Sequence, residues 1–168
     1  YGVATRLFSI ALFALASLLV FQSQPLLSVW LRDTAVAASV APIAALLALG
    51  SAINGVMHLP YTLQLASGRS RLAFLIAAAL LVIMVPLTLV LAWHFGTRGG
   101  ALAWLLLNAI YTIVGTWLTG RAVMSFAGWT WLWQHVIRPV AVTMLPPLFA
   151  AWLCSELSIP PLAAVGAG

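Results

Sequence analysis

PYTLQLASGRSRLAFLIAAALLVIMVPLTLVLAWHFGTRGGALAWLLLNAIY, from Pro60 to Tyr111, decides the fold. It holds the end of one apolar run, a short basic turn, a complete second run, a glycine-rich turn and most of a third run. Each run is long enough to cross a bilayer, which takes ~20 mostly apolar residues. The turns between them are too short to form a soluble domain. The stretch reads as a piece of a polytopic membrane protein.

Composition agrees. Hydrophobic residues make up 64% of the chain and charged residues 5%, whereas a soluble domain carries roughly a quarter charged residues. The formal net charge is +5. The basic groups are arginines placed singly at the ends of apolar runs, which sets topology and does not suit nucleic-acid binding. The single cysteine, Cys154, excludes an internal disulfide and has no companions for a metal site. The chain starts at Tyr1 without a secretory signal and ends in the apolar IPPLAAVGAG, so a fragment of a longer product, truncated at both ends, is expected.

Working outward, five segments qualify as spans: about Leu7 to Gln22, Val40 to Leu59 with a continuation to Ala66, Leu72 to Trp93, Gly100 to Leu118, and Val136 to Leu153. A sixth is expected to begin near Ile159. In lipid a span must satisfy its own backbone hydrogen bonds, so helices or closed barrels are required. No period-two alternation is present, which leaves an all-α bundle. With the first span starting inside, Arg6, Arg69, Arg71, Arg121 and Arg138 face the cytoplasm, and Arg32, Arg98, Asp33 and Glu156 face outward. That arrangement obeys the positive-inside rule. Pro25 to Ser39 is expected as a short external segment with Trp30 at headgroup level. Residues 124 to 135, rich in tryptophan, are expected as a helix lying on the inner face.

No enzyme motif is present. No carboxylate lies within a span. His58, His94 and His135 lie on three different segments. The Gly96, Gly99 and Gly100 run follows no strand, so it is a turn that lets two helices start close together, not a phosphate loop. What remains is intramembrane polarity. Gly50, Asn54, His58 and Tyr61 fall on one narrow helical face, with Ser51 bordering it and Gln64 farther round. Trp104, Asn108, Tyr111, Thr112, Gly115 and Thr119 form a second stripe. Polar groups in spans usually face the bundle interior. Two readings stand: a shared cavity, or small and polar residues knitting helices together. Pro60, Pro86 and the Pro146-Pro147 pair are expected to break three spans.

The order of these pieces resembles a known family. Leu65-Ala66-Ser67-Gly68, the mid-span Pro86, the turn Gly96 to Gly100 and the helix Ala101 to Asn108 are similar to the polysaccharide flippases. These are the O-antigen (Wzx-like) branch of the multidrug/oligosaccharidyl-lipid/polysaccharide exporter superfamily. Pro25 to Leu31 and Trp129 to Pro139 resemble further segments of that family. The resemblance implies the second, C-terminal lobe of a two-lobe transporter in the bacterial inner membrane. Its expected partners are the bilayer, a polyprenyl-pyrophosphate-linked oligosaccharide and an N-terminal lobe of the same chain, with no cofactor and no nucleic acid. It further implies alternating access, with cavity arginines supplied mostly by the first lobe, since none falls at mid-span here. Asn54, His58, Tyr61, Asn108 and Tyr111 are the candidates for lining the cavity. The alternatives are a drug/cation antiporter or lipid II flippase of the same fold, and a membrane oligosaccharide polymerase or ligase.

Overall fold

The computed structural model describes residues 2–123 and 128–156, without the side chains of 128, 150, 151 and 154–156. These residues form helices, and no strand occurs among them. The order is α1 (Gly2–Leu31), α2 (Thr34–Val56), α3 (His58–Ala66), α4 (Ser70–Phe95), α5 (Thr97–Val123), α6 (Gly128–Leu132), a π-helical turn (Trp133–Ile137) and α7 (Arg138–Glu156). Four spans are long and apolar enough to cross a membrane: Gly2–Leu31, Thr34–Ala66, Ser70–Phe95 and Thr97–Val123. α7 has 19 residues, or roughly 28 Å at ~1.5 Å per residue. The protein is an all-α bundle of membrane-spanning type. The expected sixth span and residues 124–127 of the tryptophan-rich segment lie outside the described residues.

Packing neighbours run in a row: α7, α1, α2, α5, α4. The contact faces are made of small residues. Ala16, Ala37, Ala41, Ala52, Ala73, Ala101 and Ala103 are buried, while Phe74, Val82, Leu89 and Trp93 point outward. A water-soluble protein would do the reverse. In lipid no hydrophobic force draws helices together, so close approach of small residues and interhelical hydrogen bonds must do it. Among the described residues a larger apolar cluster forms where Phe13 and Ala16 of α1, Ala52 and Val56 of α2, and Trp131, Leu132 and Val136 meet.

The expected external segment at Pro25 to Ser39 is corrected. α1 continues through Pro25 to Leu31, and only Arg32 and Asp33 separate it from α2. Proline clashes with the carbonyl four residues earlier. The strain is absorbed by a kink at Gln22 (φ −120°, ψ 17°), and the helix goes on. Trp30 therefore sits exposed on the last turn of α1. The turn is closed by Arg32 at φ 54° and by Asp33, whose Oδ1 accepts from Ala35 N at 2.9 Å and Val36 N at 3.0 Å. A side-chain oxygen at this position satisfies otherwise unpaired helix-start donors. Asp33→Ala should lower stability by about 1 kcal/mol, measured by unfolding of the purified protein in detergent; no change would show the cap to be replaced by solvent.

The proline expectation is also corrected in part. α4 runs through Pro86 and α7 through Pro146 and Pro147 without interruption. Neighbouring helices and local adjustment tolerate proline in a span. Of these three spans only the second is divided. Met57 (φ −71°, ψ −10°) separates α2 from α3, three residues before Pro60. Pro60 then lies in the first turn of α3, where its missing N–H does least harm.

The tryptophan-rich segment, described from Gly128 onward, joins α7 through the π-helical turn. Trp131 is buried in the apolar cluster, while Trp129 and Trp133 are exposed. His135 packs against Gly2. Burial, and then the nearby Arg6 charge, push its imidazole below its ordinary value.

Candidate functional site

α2 and α5 are separated in sequence by α3 and α4, so they run parallel and place their polar stripes against each other. Four side-chain hydrogen bonds cross the seam. Trp104 Nε1 donates to Ser51 Oγ at 3.3 Å, and Asn54 Nδ2 donates to Asn108 Oδ1 at 2.5 Å. Thr116 Oγ1 donates to Met57 Sδ at 3.5 Å, and Gln64 Nε2 of α3 donates to Thr119 Oγ1 at 2.6 Å. The α5 residues used, Trp104, Asn108, Thr116 and Thr119, follow at intervals of four, eight and three and share one helix face. Asn108 is anchored again through Nδ2 to Trp104 O at 2.8 Å, and Thr119 through Oγ1 to Gly115 O at 2.6 Å.

Glycines set the distance between the helices. A Cβ at Gly50 would meet Trp104 Cδ1 at 2.7 Å, and one at Gly115 would meet Met57 Cε at 2.7 Å. Thr112 is buried in the same face. The packing reading of the stripes is thus realised along most of the seam.

Beside the seam a small, half-open cavity remains, about 170 Å³ in volume, whose largely apolar wall carries a few polar groups. Asn54, Tyr61, Trp104, Asn108 and Tyr111 line it, and Ala73, Ala77 and Leu80 of α4 form its far wall. The structure therefore brings Asn54, Tyr61, Asn108 and Tyr111 together. It does not bring His58, which is exposed and absent from the cavity wall. Helix phase is responsible. At about 100° per residue from Gly50, Met57 and Gln64 lie within about 40° of it, whereas His58 lies about 80° round. Met57 and Gln64 face α5, and His58 stands at the edge of that face. Gln64, read from the sequence as lying off the face, is 1% exposed and sits in the seam. Helical spacing could have revealed this, because Gln64 falls about 40° from Gly50 and His58 about 80°.

A second, apolar groove of about 330 Å³ lies between α4 and α5. Leu72, Ile76 and Ile83 line it from α4, and Ile110, Val114 and Leu118 from α5. Leu80 and Tyr111 belong to both the polar cavity and this groove, so the two adjoin across them. Among the described residues no three histidine, cysteine, aspartate or glutamate side chains gather to hold a metal.

No family model, curated protein or solved structure matches the chain.

Proposed function

We propose that the chain is one lobe of a transporter that moves a polyprenyl-pyrophosphate-linked oligosaccharide across the bacterial inner membrane by alternating access. The observation that carries this reading is the junction of the polar cavity with the apolar groove. An amphiphile needs both environments side by side. Asn54, Tyr61, Asn108 and Tyr111 offer neutral donors and acceptors, and Trp104 offers an aromatic edge. Such groups suit sugar hydroxyls, and the groove suits a hydrocarbon chain.

The broken second span supports movement. Discontinuous helices recur at the substrate sites of transporters. Met57 divides that span directly beside the cavity, with Asn54 on one side and Tyr61 on the other. A cation antiporter fits less well, since the acids Asp33 and Glu156 lie at helix ends and not in the cavity. A polymerase or ligase fits less well too. The connections at Arg32–Asp33 and Gly96 are single turns, with no room for a catalytic loop.

Alanine at Asn54, Tyr61, Asn108 and Tyr111 tests the reading in the complete transporter. Each should reduce glycan export at unchanged protein level, while His58→Ala should not. Normal export by all four cavity variants would overturn the assignment.

A further inference from the structure

One end of the bundle collects positive charge. Arg6, Arg69, Arg71, Arg121 and Arg138 all lie there, at the start of α1, the turn before α4, the end of α5 and the start of α7. Neither of the chain's two acids is at this end: Asp33 opens α2 and Glu156 closes α7. Counter-charge for these arginines must come from outside the chain.

Arg121 differs from the others in what lies beside it. Its guanidinium carbon stands 4.2 Å from the centre of the Trp117 ring. A ring face attracts a cation but does not neutralise it. Trp117 also walls an apolar recess of about 320 Å³, completed by Ile113 and Val114 of α5 and by Trp129 and Leu132 of α6. Ile113, Val114, Trp117 and Trp129 are each 45–62% exposed, so the recess opens sideways to the bilayer. Indole rings favour the headgroup level of a membrane, and Trp117 and Trp129 frame the recess.

We infer that this recess holds one anionic phospholipid of the phosphatidylglycerol type, its phosphate at Arg121 and the upper part of an acyl chain between Trp117 and Trp129. Charge selects the lipid: Arg121, one helical turn past Trp117 and stacked on its ring, puts a cation beside a hydrocarbon-sized hollow that the same ring walls. Basic pockets between helices at this level bind anionic headgroups. A protein partner would need a carboxylate at that depth, and an unlipidated anion would leave the hollow unfilled. The site is separate from the Asn54–Asn108 cavity and does not depend on the transport reading.

Native mass spectrometry of the complete protein in detergent tests it, with phosphatidylglycerol or phosphatidylethanolamine added at equal concentration. The expected result is preferential retention of one phosphatidylglycerol. Arg121→Gln should reduce that retention roughly fivefold, as removal of one interfacial charge implies, and Arg121→Lys should keep most of it. Arg69→Gln removes the same charge away from the recess and should leave retention unchanged. Equal retention of the two lipids by the unaltered protein would overturn the proposal, whatever the variants do. So would equal losses in Arg121→Gln and Arg69→Gln, which would reveal only a net-charge effect. Displacement of the lipid by millimolar inorganic phosphate alone would overturn it as well, since the site would then be for a free anion.

Discussion

Alanine in place of Gly99 should lower the stability of the bundle by about 3 kcal/mol, the upper part of the usual range for overpacking. A Cβ at this position would overlap the Leu91 carbonyl O and C of α4. These are backbone atoms, which cannot turn aside as a side-chain end can. The start of α5 would have to move off α4, and the Gly96 turn, held at φ 60°, leaves little slack. Gly100 is the control. It sits one residue later in the same helix, and a Cβ there meets nothing within 4 Å. Gly100→Ala should leave stability unchanged or raise it by up to ~1 kcal/mol, because alanine favours the helix. Unfolding in detergent reads both. Equal behaviour of the two variants would contradict the close approach of α4 and α5.

On the proposed transport reading, tryptophan in place of Ala77 should reduce export at least about tenfold, which corresponds to about 1.4 kcal/mol of lost interaction. Ala77 is on the α4 wall of the polar cavity and is itself exposed. A large side chain there can fill the cavity from its open side without displacing buried neighbours. Stability should therefore change little, which separates this variant from Gly99→Ala. The readout is export by the complete transporter at matched protein level. Export unaffected by a filled cavity would place the substrate path elsewhere.

The helices were legible because lipid permits few alternatives. Long apolar runs such as Leu72 to Trp93 must be helical, and α4 covers that run. The stripe on α5 was legible for the same reason: an unbroken helix keeps constant phase from Trp104 to Thr119, and the stripe faces α2 and α3. The stripe on the second span was centred too far round. At about 100° per residue from Gly50, Gln64 falls nearer the seam than His58, and the bonds of Met57 and Gln64 to α5 follow that phase. The reach of α1 was also hidden. Pro25 reads as a stop, but a three-residue offset to Gln22 lets the chain kink and continue. The division of the polar stripes between bonds and cavity was not legible. Asn54 and Asn108 bond to each other and also line the cavity, and only the distance between helices, set by Gly50 and Gly115, decides how much space remains.

Flipping of a fluorescent polyprenyl-pyrophosphate-linked oligosaccharide in proteoliposomes tests the central claim most directly. The complete transporter, with a lipophilic drug cation assayed in parallel, should move the lipid-linked sugar to the opposite leaflet. The Asn54→Leu/Asn108→Leu variant, which keeps the seam closed with apolar groups, should lose that movement while remaining folded. Movement of the drug cation alone, or undiminished flipping by the double variant, would contradict the claim that this cavity carries an amphiphilic sugar substrate.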